Sequence, residues 1–240
     1  TEETVVIPDT NFEQALIDLG KDTNGLNGNI LLSDAHAIDS LKISNPINNV
    51  LLPNVSAKIT DLTGIESMSS LVYLEAYLNE ISSIDLSENI ELSYLSISYN
   101  KLTTINLSSN LKINTLDLSE NQLTTIDLTN NILLEKLWLP VNEITSLDLS
   151  QNTSLVTADC SQNYQLGFIN VQGPTLRTLN CSGCEFYGLN VSQATGLEEL
   201  NCSNNPSIDN LNLSQNTNLE RLYCSNTDMS TLDVSQNANL

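Results

Sequence analysis

Histidine is nearly missing from this chain: its 240 residues hold one, His36. A single imidazole argues against Ser-His-Asp or Cys-His nucleophilic machinery, and against histidine-rich metal sites. Cations are almost as scarce, with 8 Lys+Arg against 29 Asp+Glu and a formal net charge of −21. Such a balance repels phosphate backbones and anionic headgroups, which argues against nucleic acid and inner-leaflet membrane as partners. No apolar run approaches the roughly 20 residues that cross a bilayer, so membrane insertion is not expected. The chain opens Thr1-Glu2-Glu3, with neither the basic start nor the apolar stretch of a signal peptide. Phosphate loops, HExxH and GxGxxG are also missing. Hydrophobic residues nevertheless make up 40%, enough for the core of one large domain or two small ones.

What is there is a repeat. Leu71, Leu92, Ile113, Leu134, Leu155, Leu176, Leu197, Leu219 and Leu240 open successive copies, 21 residues apart with a single interval of 22. The unit is LxxLxLSxNxLTxLDLSxNxx, clearest from Ile113 to Leu133, so 71–240 holds eight coils and Leu240 begins a ninth. The unit also contains itself, because LxxLxLSxN is written twice, ten residues apart, at Ile113–Asn121 and Leu123–Asn131. Apolar residues alternate at slots 4 and 6 and again at slots 14 and 16, which predicts two strands per coil, each with one face inward. Ser-x-Asn between them is turn chemistry. One coil cannot bury its own apolar faces, so coils must stack in register into a right-handed parallel solenoid, roughly 38 Å long at about 4.8 Å per strand. No coil has room for a crossover helix, so the convex side is expected to be extended or 3₁₀-like.

The N-terminal residues differ. Thr10-Asn11-Phe12-Glu13 reads as a capping box, and Phe12, Leu16 and Leu19 follow at helical spacing up to Gly20. We therefore expect a helical cap over 1–35, degenerate leading coils over 36–70 with fragments such as Ile38-x-x-Leu41-x-Ile43, and the regular array over 71–240. The pattern stops at Leu240 without a polar cap, and a continuing array or a further domain is expected.

LxxLxLxxNxL resembles the leucine-rich repeat, over 71–240 and more loosely from 36. The nested 21-residue form is similar to a bacterial subclass of the internalin type, as are the segment Ile59–Glu66 and the cysteines at slot 6 in Leu179–Ser182 and Leu200–Ser203. The opening Ile7–Leu16 resembles secreted repeat proteins of Bacteroidetes. The resemblance implies an extracellular or cell-surface binding protein, often an adhesin, and not an enzyme.

Cys160, Cys181, Cys202 and Cys224 share slot 6 of successive coils, and Cys184 takes slot 9, where Asn79, Asn100, Asn121, Asn142, Asn163 and Asn205 stand elsewhere. The repeat explains all five as structural thiols, with in-register Cβ atoms unsuited to disulfides. The spacing Cys181-x-x-Cys184 is also that of redox and zinc sites, and that alternative stays open.

Ligand contacts are sought where the consensus breaks without structural need. Slots 3, 5 and 7 face outward on the concave sheet and carry small polar residues in late coils, such as Thr178, Asn180 and Ser182. Elsewhere they carry Tyr73, Glu75 and Tyr77, then Tyr94, with Tyr99 just beyond, then Lys136 and Trp138 before Pro140, and finally Arg221 and Tyr223. Six of the chain's eight Tyr and Trp residues fall in this band. Aromatic faces with polar tips suit binding to protein or glycan; cross-strand stabilisation is the alternative. Slot 15 reads Asp85, Asn106, Asp127, Asp148, Asn170, Asn190, Asn212 and Asp233. That row is either a solvated polar face with amide ladders or a Ca²⁺ row at Asp85, Asp127 and Asp148, with no other cofactor expected. The leading reading is a monomeric, secreted or surface-bound recognition module for an extracellular protein or glycan. A stalk presenting another domain is the second reading, and a carboxylate-pair glycosidase the third.

Overall fold

Slot 4 and slot 6 must face inward together, and one short strand per coil does this. The computed structural model describes residues 2–240. In chain order its elements are β1 (Thr4–Val6), α1 (Thr10–Asp18), β2 (Asn29–Leu31), α2 (Leu32–Ala37), β3 (Ser40–Lys42), β4 (Tyr73–Glu75), β5 (Tyr94–Ser96), β6 (Thr115–Asp117), β7 (Lys136–Trp138), β8 (Ser146–Asp148), β9 (Thr157–Asp159), β10 (Phe168–Asn170), β11 (Thr178–Asn180), β12 (Glu199–Asn201) and β13 (Arg221–Tyr223). Two single-turn 3₁₀ helices, Pro46–Asn48 and Ile65–Ser67, lie between β3 and β4.

Nine strands, from β3 to β13 without β8 and β10, form one parallel sheet in strict register. Its central row runs Leu41, Leu74, Leu95, Leu116, Leu137, Ala158, Leu179, Leu200 and Leu222, all fully buried except the last. Burying each such leucine contributes about 1.5–3 kcal/mol. The degenerate segment 36–70 is therefore part of the solenoid, since β3 pairs directly with β4.

A second strand in every coil is not what forms. Only β8 and β10 make a ladder on the other side, with an isolated bridge at Leu189 and Leu211. Elsewhere side-chain amides join the coils there. Asn110 Nδ2 donates to Leu86 O and Asn89 O of the preceding coil, and Asn131 and Asn152 repeat the pattern one and two coils on.

Slot 9 does more. Asn121 Nδ2 donates to Ile97 O, Leu118 O and Ser119 O, while its Oδ1 accepts the Leu102 N–H at 3.0 Å. To reach that position the chain turns at slot 8, where Leu78, Tyr99, Glu120, Val141, Gln162, Asn204 and Asn226 all have φ between 53° and 59°.

The cap differs from a capping box followed by one helix. The N-cap is Asp9, whose Oδ1 accepts the Asn11 and Phe12 amides, and its Oδ2 accepts from Thr60 and Asp61. Although burial opposes ionisation, these hydrogen bonds from Thr60, Phe12 and Asp61 hold the Asp9 carboxyl below its ordinary range. Asp18 at the other end of α1 accepts two hydrogen bonds from Asn54, so both ends of the helix are tied to the leading coil. Glu13 does not reach back to the helix start. It is buried, and its Oε1 accepts the amides of Asn27, Gly28 and Asn29. The cap also holds the antiparallel pair β1–β2 and a second helix, α2, which crosses the expected boundary at residue 35.

Candidate binding face

The concave sheet presents slots 3 and 5 outward because slot 4 is committed to the core. At the cap end Tyr73 lies beside its register partner Tyr94, rings stacked at 4.2 Å and 8°. Lys42 of β3 reaches over Tyr73 with its ammonium 5.1 Å from the ring centroid. Burial, with hydrogen bonding to Glu75 and Tyr94, pushes the Tyr73 hydroxyl well above the usual phenol range. Both faces of Tyr73 are therefore occupied, and Tyr94 is the end of the stack. Sequence reasoning missed Lys42, which lies in the degenerate coil; the pairing of β3 with β4 is the signal that reveals it. Tyr77 is half-buried beside this cluster, its amide donating to Ser44 Oγ at 3.0 Å.

Next comes coil three, whose Thr115 and Asp117 are small. Asp117 is held by the Ser119 amide and by the Ser96 and Ser119 hydroxyls. Beyond it β7 carries Lys136 and Trp138, in register with Thr115 and Asp117. Tyr94 and Trp138 thus stand two strands apart, about 10 Å at the usual spacing, with coil three as a low floor between them. Trp138 occupies a slot where Asp117, Asp159 and Asn180 cap the amide two residues ahead. At coil four that residue is Pro140, which has no N–H to cap. The Trp-x-Pro pair therefore releases slot 5 from its structural duty.

Arg221 and Tyr223 do not join this cluster. They lie on β13, four strands beyond β7 in the sheet order. Arg221 is already paired with Glu199, with Nε at 2.9 Å and a second guanidinium nitrogen at 2.8 Å from the same carboxylate oxygen. Hydrogen bonding to Glu199 raises its pKa further.

Slot 15 has a turn-capping role. Asp85, Asp127 and Asp148 each accept the amide two residues on, from Ser87, Thr129 and Ser150, which lowers their pKa values. Asn106, Asn190, Asn212 and Asp233 do the same. Among the described residues no three His, Cys, Asp or Glu side chains converge as a metal set, either along this row or at Cys181 and Cys184.

The five thiols are free; Cys160, Cys181, Cys184 and Cys202 are buried and Cys224 is half-buried. Cys184 replaces asparagine and keeps two of its bonds, donating to Cys160 O at 3.5 Å and Ser182 O at 3.8 Å as Asn205 donates to Cys181 O and Ser203 O. Contact with Cys184 and full burial raise the Cys160 thiol, burial raises Cys181, and Cys202 is pushed up to about 12. Cys160, Cys181 and Cys202 thus lack the depressed pKa a nucleophile or ligand needs, whereas hydrogen bonding with Cys160 lowers the thiol of the buried Cys184.

In-register parallel strands, an asparagine in each turn and apolar slots at a fixed period define a leucine-rich repeat solenoid. Its solved relatives include internalins. The chain is 32% identical to the functional domain of InlJ from Listeria monocytogenes, described as including a cysteine ladder, with a TM-score of 0.87 over 100% of this chain and 51% of that one. It shares its fold with internalin C2 of the same species (21% identity, TM-score 0.63, covering 98% and 91%) and with the LRIM1/APL1C complex (23%, 0.62, covering 85% and 38%). The chain spans about half the length of the InlJ domain. No protein-family profile and no curated protein sequence matches it. The chain is thus an internalin-like leucine-rich repeat protein with nested 21-residue units.

Proposed function

We propose that this solenoid is a recognition module, secreted or held at a cell surface, that binds an extracellular protein or glycan on the cap-proximal half of its concave sheet. The observation that carries the reading is the pair of aromatic walls, the Tyr73–Tyr94 stack and Trp138, on either side of the small residues of coil three. Rigid aromatic side chains lose little entropy on binding and suit both sugar faces and protein anchors. Glu75 and Lys136 supply polar groups of opposite sign at the rim, and Lys136 forms no ion pair among the described residues. A scaffold of leucine-rich repeats supports a role in protein interaction. The later strands, with Thr157, Asp159, Thr178 and Asn180, are read as the spacer portion of the same module. Screening the intact chain against a glycan array and by pull-down from extracellular protein tests the reading. Ligands captured by the wild type and lost by the Tyr73→Ala/Tyr94→Ala/Trp138→Ala variant, with its circular dichroism unchanged, are the expected result. Equal capture by both proteins removes this face from the reading.

A further inference from the structure

A gap interrupts the edge of the solenoid in coil six. Slot 8 forms that edge, and the other coils of the regular array all place a side chain there, from Leu78 to Asn226, at φ between 53° and 59°. Coil six has Gly183 instead, at φ +66°. Neither backbone nor space calls for a glycine. Its conformation is the one the other residues adopt in this slot, and a Cβ at Gly183 would meet its nearest atom, Gln162 N, at 3.6 Å, an ordinary contact. What the glycine removes is the side chain between Gln162 and Asn204, its neighbours in slot 8 one coil before and one after. A cavity of about 360 Å³ opens there, lined by Gln162, Tyr164, Ser182, Gly183 and Asn204. That volume falls within the roughly 300–1,000 Å³ of small-molecule sites.

Tyr164 departs from the repeat as well. Slot 10 carries Glu80, Lys101, Gln122 and Glu143 in the preceding coils, and the exposed Glu80–Lys101 ion pair shows how solvated that slot is. Tyr164 is 68% exposed, so core burial does not account for it. With Phe168 and Tyr187, at 57% and 75%, it completes the three most exposed aromatic side chains of the described residues, all on coils five and six. The Tyr164 ring gives the cavity one flat apolar wall, and the remaining lining is polar. Ser182 Oγ donates to Asn180 Oδ1 at 2.9 Å and keeps its lone pairs for an incoming hydroxyl. Asn226 Nδ2 donates to Asn204 Oδ1 at 2.7 Å, which orients the Asn204 amide and leaves its N–H groups to donate. The Gln162 amide offers both a donor and an acceptor. No carboxylate, ammonium or guanidinium lines the cavity, in a chain with 29 Asp+Glu. The overall charge of −21 repels anions, and a cation finds no counter-charge here. An uncharged molecule with an apolar face and many hydroxyls matches this lining, and a sugar ring is such a molecule. We propose that this edge cavity is a binding site for a neutral saccharide. Tyr164 stacks on the C–H face of the ring, Gln162, Asn204 and Ser182 bond its hydroxyls, and Gly183 makes the room. The site lies outside the concave aromatic cluster and stands independently of it.

Amide spectra of the intact chain, titrated up to about 50 mM with glucose, galactose, mannose, N-acetylglucosamine, lactose or maltose, test this, with N-acetylneuraminic acid as the charged control. Saturating shifts at Ser182 and Gly183 with at least one neutral sugar, at millimolar affinity, are expected. Tyr164→Ala, at an exposed position, should weaken that binding by about tenfold. Gly183→Asn puts into slot 8 the residue that Asn204 and Asn226 already supply there, and should abolish binding with the circular dichroism unchanged. If Gly183→Asn does not fold, Tyr164→Ala decides. Tyr73→Ala/Tyr94→Ala/Trp138→Ala should keep the binding, which separates this site from the concave cluster. The proposal is overturned by the absence of a saturable shift at Ser182 and Gly183 with every neutral sugar. Unchanged affinity in either folded edge variant, or tighter binding of N-acetylneuraminic acid than of every neutral sugar, overturns it too.

Discussion

Val141 is the most costly single choice in the array. A β-branched residue at φ 57° is strained, by about 1–2 kcal/mol, where asparagine tolerates the left-handed region. Asn204 and Asn226 already occupy the same slot in later coils. Val141→Asn should therefore raise stability by about 1 kcal/mol in denaturant titration. No gain, or a loss, would show that the valine side chain contributes more than the backbone strain costs. Cysteine is the other choice at this scale. With four thiols buried and only Cys224 half-buried, a thiol reagent at neutral pH should label at most Cys224 in the native protein and all five residues after denaturation. Rapid native labelling of Cys181 and Cys184 would restore a chemical role for that pair. The slot assignment of all five was legible in the sequence because the repeat supplies many aligned copies. That Pro140 frees Trp138 from capping was not, because it depends on which amide each slot-5 side chain holds.

At the scale of the coil, the nested LxxLxLSxN has a physical content. In coil three both halves write Asp two residues before a serine or threonine amide, Asp117–Ser119 and Asp127–Thr129, and both end in an asparagine that donates to a carbonyl of the preceding coil. The halves diverge because a sheet ladder joins the first and asparagine side chains join the second. Alternation of apolar residues reports which face is inward and does not report whether neighbouring backbones pair, so the second strand was over-read. Slot 9 should be the most sensitive polar position: Asn121→Ala removes three donations and one acceptance from buried partners, and a loss of about 2–4 kcal/mol is expected. A loss below 1 kcal/mol would mean that water replaces the amide. The cap was the least legible element because it occurs once. Asp9 bonding Thr60, and Glu13 bonding the 27–29 amides, join residues that no periodicity relates.

For the whole molecule, part of the net charge of −21 lies in two rows of turn-capping acids, Asp117 and Asp159 in slot 5 and Asp85, Asp127, Asp148 and Asp233 in slot 15. The face those rows border was legible as a band of aromatic slots. Its division into a cap-proximal cluster and a distant, self-paired Arg221 needed the sheet order and the Glu199 contact. The central claim is that recognition belongs to the first cluster. The direct measurement is the affinity of a captured ligand for two folded variants, Tyr73→Ala/Tyr94→Ala/Trp138→Ala and Arg221→Ala/Tyr223→Ala. A loss of about 100-fold or more in the first, from removal of central aromatic anchors, and less than about threefold in the second is predicted. Retention in the first with loss in the second would contradict the account.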